Sequence, residues 1–270
     1  MTVRAATVEE CDRLLPAARA EHLVQTLEEL REYRSEGPWR VRINHRGDAC
    51  VLGRWKAHLD VLAIRAMWCP ERRVAELVRD AKAVARDREF GRLLSPLLPE
   101  VLLGPYRACG LISTRNITAI QGLPEYVVAV DPPGGVSLRQ GSTDDLAALA
   151  LLDAQCFDEF WRWGEEDLRG FLGAERLAVA ETDSGELIGY TLATVSRGAA
   201  NLTRLATAPA YRRRGVGRAL LSEAASWASR AGAATITLCT QEENRASRAL
   251  YEAAGLRELD EPYAMALGPV

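Results

Sequence analysis

Residues Ala208–Leu221 read APAYRRRGVGRALL, three arginines set against a Gly-x-Gly just where an apolar run opens a helix. The first backbone N–H groups of a helix have no internal partners and sit at the positive end of its dipole. A pyrophosphate fits such a place. Gly215 and Gly217 carry no Cβ, so backbone there can approach an anion closely and take unusual dihedral angles. Arg212, Arg213, Arg214 and Arg218 add charge at the rim. The dinucleotide pattern G-x-G-x-x-G needs a third glycine where Leu220 stands, and a Walker loop needs a lysine that is absent. What remains is R-x-x-G-x-G, on Arg212, Gly215 and Gly217. The rival reading is a surface helix start with a glycine turn and solvated arginines.

The elements around this stretch must hold it in place. Leu202–Thr207 reads as a strand, and Gly217–Ala231 as a helix stopped by Gly232. Upstream, Val136–Arg139 reads as a strand and Thr143–Phe157 as a helix capped by Ser142 or Thr143. Glu165–Leu172 reads as a second helix. Arg176–Thr182 and Glu186–Val195 form a hairpin through Asp183-Ser184-Gly185. Downstream come a strand at Thr235–Cys239, a helix at Asn244–Ala254 stopped by Gly255, and a closing strand at Arg257–Leu267. The fold class is α/β with a mixed sheet.

The chain also repeats itself. TVRAATVEECDRLLPAA at residue 2 resembles SLRQGSTDDLAALALLDA at residue 137. GPYRACGL (Gly104–Leu111) resembles ALYEAAGL (Ala249–Leu256), pairing Tyr106 with Tyr251 and Gly110 with Gly255. EYVVAVDP (Glu125–Pro132) resembles PYAMALGP (Pro262–Pro269). Three matches in order imply two copies of one fold, residues 1–132 and 136–270, linked at Pro132-Pro133-Gly134-Gly135.

Bulk properties narrow the classes. A net charge of −3 gives no reason to expect nucleic acid or a membrane surface as partner. No apolar run approaches a membrane span, and the opening residues do not form a secretory leader. Six scattered cysteines without C-x-x-C fit reduced thiols in a cytoplasm. The three histidines are isolated from one another, so no metal site is expected.

The second copy resembles the GNAT superfamily of acyltransferases. LTRLATAPAYRRRGVGRALL (Leu202–Leu221) is similar to its strand–loop–helix for the pyrophosphate of acetyl-coenzyme A. TITLCTQEENRASRALYEAAGL (Thr235–Leu256) is similar to its later strand and helix. The resemblance implies two tandem GNAT-like domains, with acetyl-coenzyme A as co-substrate and no metal. It implies that Leu205, Ala206 and Thr207 offer backbone groups to the pantetheine arm and thioester. Arg213, Arg214, Gly215, Val216, Gly217 and Arg218, with Arg212, would wrap the pyrophosphate. Asn244 would contact the cofactor arm, and Tyr251 would protonate the departing thiolate. An amine would attack the thioester carbonyl directly, and a backbone N–H near Ala206 would stabilise the oxyanion, a donor of a kind worth about 3 kcal/mol.

A general base is not evident. Thr203 and Arg204 stand where some members of the family carry a glutamate, and Cys239 stands five residues before Asn244, where ribosomal-protein N-terminal acetyltransferases carry theirs. Glu242 and Glu243 lie nearby, and a water relay is the other route for the proton. The run CFDEFWRWGEEDL (Cys156–Leu168) is read either as an acceptor wall for a cationic amine or as core packing. In the first copy, LAIRAMWCPERRVAELVRDA (Leu62–Ala81) has no Gly-x-Gly, so that copy is expected to be degenerate. The expected function is N-acetylation of a primary amine, on a small molecule or a peptide N-terminus, by a monomer or homodimer. The alternatives are a mycothiol-synthase-like acyltransferase and a non-catalytic acyl-coenzyme A sensor.

Overall fold

A computed structural model describes residues 2–11, 13–14, 27–56, 58–169 and 176–270. The chain forms two compact units, Met1–Asn116 with Tyr263–Val270, and Ile117–Pro262. The units do not part at the Pro132–Gly135 linker, and the chain's last strand belongs to the first unit.

In the first unit the strands are β1 (Arg4–Ala5), β2 (Val41–Ile43), β3 (Ala49–Arg54), β4 (Val61–Trp68), β5 (Arg92–Leu94), β6 (Leu98–Pro99) and β14 (Tyr263–Pro269). The ladder runs β1-β2-β3-β4-β5-β14, with β6 also on β14. β4 and β5 are parallel, and β14 is antiparallel to β5. Ser95 ties β14 in twice: its N–H donates to Ala266 O and its Oγ accepts from Ala266 N–H, both at 2.8 Å. Helices α1 (Leu27–Glu36), α2 (Val74–Asp87) and α3 (Gly104–Ala108) accompany the sheet. α2 buries Val74, Leu77, Val78, Ala81, Val84 and Ala85, the stripe that a 3.6-residue period generates.

In the second unit, β7 (Ser113–Gly122) contributes its residues from Ile117 onward. There follow β8 (Val136–Gln140), α4 (Leu146–Cys156), α5 (Glu165–Arg169), β9 (Arg176–Thr182), β10 (Leu187–Ser196), β11 (Ala199–Thr207), α6 (Val216–Arg230), β12 (Thr235–Gln241), α7 (Arg245–Ala253) and β13 (Arg257–Glu258). The order is β7-β12-β11-β10-β9-β8, and only the β11–β12 pair is parallel. Ser142 is the cap expected before α4: its Oγ accepts from Asp144 N–H, and Asp145 reaches back to its N–H at 2.8 Å. The expected helix Glu165–Leu172 is described as far as Arg169, and its remainder lies outside the described residues. α6 seats Val216, Leu220, Leu221, Ala224, Ala225 and Ala228 on the sheet. Gly189 permits that approach, since a Cβ there would lie 2.9 Å from Leu220 Cδ1.

Two of the sequence correspondences can be compared in detail. Tyr106 and Tyr251 lie in helical turns that close identically. Leu111 N–H donates to Tyr106 O at 3.2 Å and Leu256 N–H to Tyr251 O at 3.0 Å. The glycine between them, Gly110 or Gly255, has φ of +87° or +85°. The third match does not hold. Pro262–Pro269 contains strand β14, whereas 125–132 starts within the 3-10 turn Pro124–Tyr126 and continues as unladdered chain, with Val127 in the core and Val130 N–H on Ser222 Oγ. Alternating apolar residues suit either environment, so the likeness carried no topology.

Candidate active site

β11 and β12 pair from Ala199↔Thr235 to Leu202↔Leu238 and no further, although β11 runs on to Thr207 and β12 to Gln241. A bulge opposite Leu192/Ala193 adds Thr203 to β11 and bends it there. The strands therefore splay and leave backbone groups open between them. Ala208 N–H donates to Ile188 O of β10 at 2.8 Å. By the two-residue period, the amide of Ala206 also faces β10, while those of Leu205 and Thr207 face the opening. The donors near Ala206 are therefore those of its two neighbours.

Leu205, Ala206 and Thr207 line a cavity of about 840 Å³. Its other walls are Arg212, Arg213, Gly215, Gly217 and Arg218 before and at the start of α6, and Asn244, Arg245, Ser247 and Leu250 on α7. Cys156 and Phe157 close the side formed by the end of α4. Among the described lining residues the only ionic side chains are arginines.

The loop before α6 is set by two left-handed residues, Arg213 at φ +63° and Gly215 at φ +93°. The amides of residues 213–218 find no acceptor among the described residues, and α6 has no side-chain N-cap. A Cβ on Gly217 would lie 3.3 Å from Thr207 Oγ1 and 3.5 Å from Leu250 Cδ2, so a side chain there would intrude between the helix start and the strand end. Arg212 Nε donates to Thr207 O at 3.2 Å, which pins the loop to β11. Unpaired amides, a bare backbone and a cationic rim fit a diphosphate.

Three expected residues are placed differently. The Val216 side chain is buried in the core, so only its backbone is available. Arg214 lies over the Tyr211 ring, 5.4 Å from its centre, and is not among the cavity-lining residues. Asn244 lines the cavity and caps α7, its Oδ1 accepting from Ser247 N–H at 3.2 Å. Tyr251 is 6% exposed and packs in a core with Ile120, Leu238 and Leu256. It lies beneath the cavity wall and not on it. Burial pushes its hydroxyl up to about 12. Glu242 and Glu243 are exposed and outside the lining, and Cys239 is exposed on β12.

The aromatic run resolves into packing around a buried ion pair. Asp153 on α4 and Arg204 on β11 are bonded through both carboxylate oxygens, at 2.7 and 2.8 Å. The Tyr190 hydroxyl also donates to Asp153, as does Trp163 N–H at 2.6 Å. The Arg204 guanidinium lies 3.4 Å from the Phe157 ring centre and 4.7 Å from that of Trp163, and donates to Trp161 O at 2.9 Å. Phe160, Trp161 and Trp163 are buried; Phe157 alone of the four rings reaches the cavity. Sequence reading singled out the rings but not Asp153, whose only signal was an acid on an otherwise apolar helix face.

The open strand end, the bare helix start and the cationic lining belong to a segment for which known proteins offer likenesses. The acetyltransferase (GNAT) family profile matches residues 146–256. An uncharacterized N-acetyltransferase, YhfO of Bacillus subtilis, is 35% identical over 137 residues, which are 46% of this chain and 91% of that protein. The chain belongs to the GNAT family. The [ribosomal protein bS18]-alanine N-acetyltransferase of Escherichia coli is 32% identical over 96 residues, 36% of this chain and 65% of that protein. Among solved structures, a tandem GNAT protein from the clavulanic acid biosynthesis pathway superposes with a TM-score of 0.72 at 15% identity, covering 99% of this chain and 98% of that one. A GCN5-related N-acetyltransferase from Sphaerobacter thermophilus gives 0.69 at 20% identity, with 99% and 95% covered. The fold is that of tandem GNAT proteins. Acetyl-coenzyme A-dependent acetylation is general to the family. No helix among the described residues is long and apolar enough to cross a membrane, and they contain no cluster of potential metal ligands.

Proposed function

We propose that the second unit binds acetyl-coenzyme A in the splayed cavity and acetylates a primary amine, and that the first unit does not catalyse. The carrying observation is the run of amides at residues 213–218 without an acceptor among the described residues, beside a described lining whose only ionic groups are Arg212, Arg213, Arg218 and Arg245. Bound there, acetyl-coenzyme A supplies an activated acyl carbon.

The chain's own groups would do the rest. The amides from Arg213 to Arg218 hold the diphosphate. Asn244 and the open edge of Leu205 and Thr207 orient the pantetheine arm, and an N–H of that edge stabilises charge developing on the carbonyl oxygen. Tyr251 stays protonated through neutral pH and serves as acid for the departing sulfur. Water, lacking any carboxylate or imidazole neighbour on the described lining, carries away the proton of the incoming amine. Phe157, fixed by Arg204, shapes the acceptor side.

A peptide N-terminus is the acceptor favoured by the likeness to the alanine N-acetyltransferase, which matches through residues of this same unit. The test is thiol release from acetyl-coenzyme A with alanyl peptides and a panel of small amines, alongside calorimetry of coenzyme A binding. Turnover on an amine supports the reading. Tight binding with no turnover across the panel would make the protein a sensor, and no binding would remove the proposal.

A further inference from the structure

The end of β11 has two faces. The pairs Tyr190↔Ala206 and Leu192↔Arg204, with the two-residue period, put the Arg204 and Ala206 side chains on the face that α4 covers, where the Tyr190 hydroxyl meets Asp153. Leu205 and Thr207 turn to the other face, where a Cβ on Gly217 would lie 3.3 Å from Thr207 Oγ1. With coenzyme held along Leu205, Thr207 and the start of α6, the α4 side is left to an incoming amine. That side holds Phe157, on the cavity wall, and the Arg204 guanidinium stacked 3.4 Å from its ring centre.

The donors of Arg204 are not all spent. Its Nε and one Nη2 proton go to Asp153, and the other Nη2 proton goes to Trp161 O. Among the described residues the two N–H groups of Nη1 have no acceptor, although the side chain is only 7% exposed. The buried polar atoms without a partner do not include Nη1, so it is open to solvent. Asp153 fixes the plane of the guanidinium and cancels its charge, and the Phe157 ring covers it. A guanidinium held in this way gives up little freedom on meeting one more oxygen.

We infer that Arg204 Nη1 takes an oxygen of the acceptor that lies beside its amine, so that the substrate class is an α-amino carbonyl compound. A peptide N-terminus would present its first carbonyl there, and a free amino acid its carboxylate. Resting on the acetyl transfer proposed above, this assignment names the acceptor for it. The contact moves no proton. It orients the nitrogen toward the strand end, and a site built for an oxygen turns away an amine that lacks one.

The test is thiol release by the full chain from acetyl-coenzyme A with three acceptors sharing a branched carbon: an alanyl peptide, free alanine and isopropylamine. Their kcat/KM values are compared per unprotonated amine. The alanyl peptide or alanine should exceed isopropylamine by about tenfold or more, and the better of the two tells a peptide acceptor from an amino acid. Arg204→Lys keeps a cation beside Asp153 but has no second nitrogen. In it that preference should shrink to about twofold, with cooperative thermal unfolding and coenzyme A affinity by calorimetry retained. If Arg204→Lys does not fold, the wild-type chain is given the alanyl peptide with its first carbonyl replaced by a thiocarbonyl, a weaker acceptor, and kcat/KM should fall about tenfold. Equal values for the three acceptors in wild type, an undiminished preference in Arg204→Lys, or no loss with the thiocarbonyl peptide would overturn the assignment and leave acetyl transfer in place. No turnover on any acceptor by wild type would overturn both.

Discussion

The loops after β4 and after β11 leave similar strands and take different shapes. Each follows a strand that pairs in parallel with its neighbour for only a few residues: β4 meets β5 over Val61–Ala63, β11 meets β12 over Ala199–Leu202. Each strand carries a bulge against the preceding one, and each leads into a proline and a 3-10 turn. After Pro209 the chain spends Arg212–Gly215 in an open, partly left-handed loop before α6. After Pro70 the turn Glu71–Arg73 runs straight into α2. Arg73 then pairs with Asp48, its Nε at 2.6 Å, instead of edging a concave surface. Three residues before the proline, Ala206 leaves room beside the strand, whereas Met67 fills it and accepts a hydrogen bond from the Tyr106 hydroxyl at 3.3 Å. Similar strand geometry thus leads into two different loops, and a few loop residues and one side chain decide whether a concave surface with open amides follows.

That contrast can be broken at several points, taken from the largest expected effect downward. Arg204→Met leaves Asp153 buried without its cation and should destabilise the protein by about 3–5 kcal/mol, read by chemical denaturation. Arg65, five residues before Pro70 as Arg204 is five before Pro209, lies over the Trp55 ring and donates to Arg54 O near the surface; Arg65→Met should lower stability by no more than about 1 kcal/mol. Equal losses would show that the two arginines do the same job.

Gly217→Glu should weaken coenzyme A binding at least a hundredfold, about 2.7 kcal/mol, by calorimetry. Arg72→Glu, on the exposed turn of the first unit, should leave it unchanged. Tyr251→Phe should slow turnover about tenfold or more, while Tyr106→Phe leaves the rate alone. Asp48 and Asp145 are held below the usual carboxylate range first by hydrogen bonds from Arg73 and Arg139. A depressed folded pKa gives stability that is present above about pH 4 and lost as pH falls further. Acid denaturation of Asp48→Asn should therefore be shallower below pH 4 than that of wild type. Smallest, Gly110→Ala and Gly255→Ala should each destabilise by about 1 kcal/mol through their left-handed φ.

Much of this was legible before any coordinates. Gly215, Gly217, Gly110 and Gly255 each mark a place where only glycine is comfortable or a Cβ would intrude, so their spacing pointed to the loop before α6 and to the repeated helical turn. Ser142 was legible as a cap because its hydroxyl and the acids after it have one use in that setting. The Asp153–Arg204 pair joins residues 51 apart in the chain, a pairing that local pattern does not encode. The parting of the units was hidden for a similar reason: alternation tells which face of a strand is buried, not which sheet it joins.

The placement of β14 bears on how the protein is made. Its hydrogen-bonding partner, Ser95, precedes it by 171 residues. At about 5–20 residues per second of synthesis, roughly 10–30 s separate the two on the ribosome. Through that interval the first sheet presents an unmatched edge beside β5, and its completion waits on translation of everything that forms the second unit, including the acetyl-donor site proposed there.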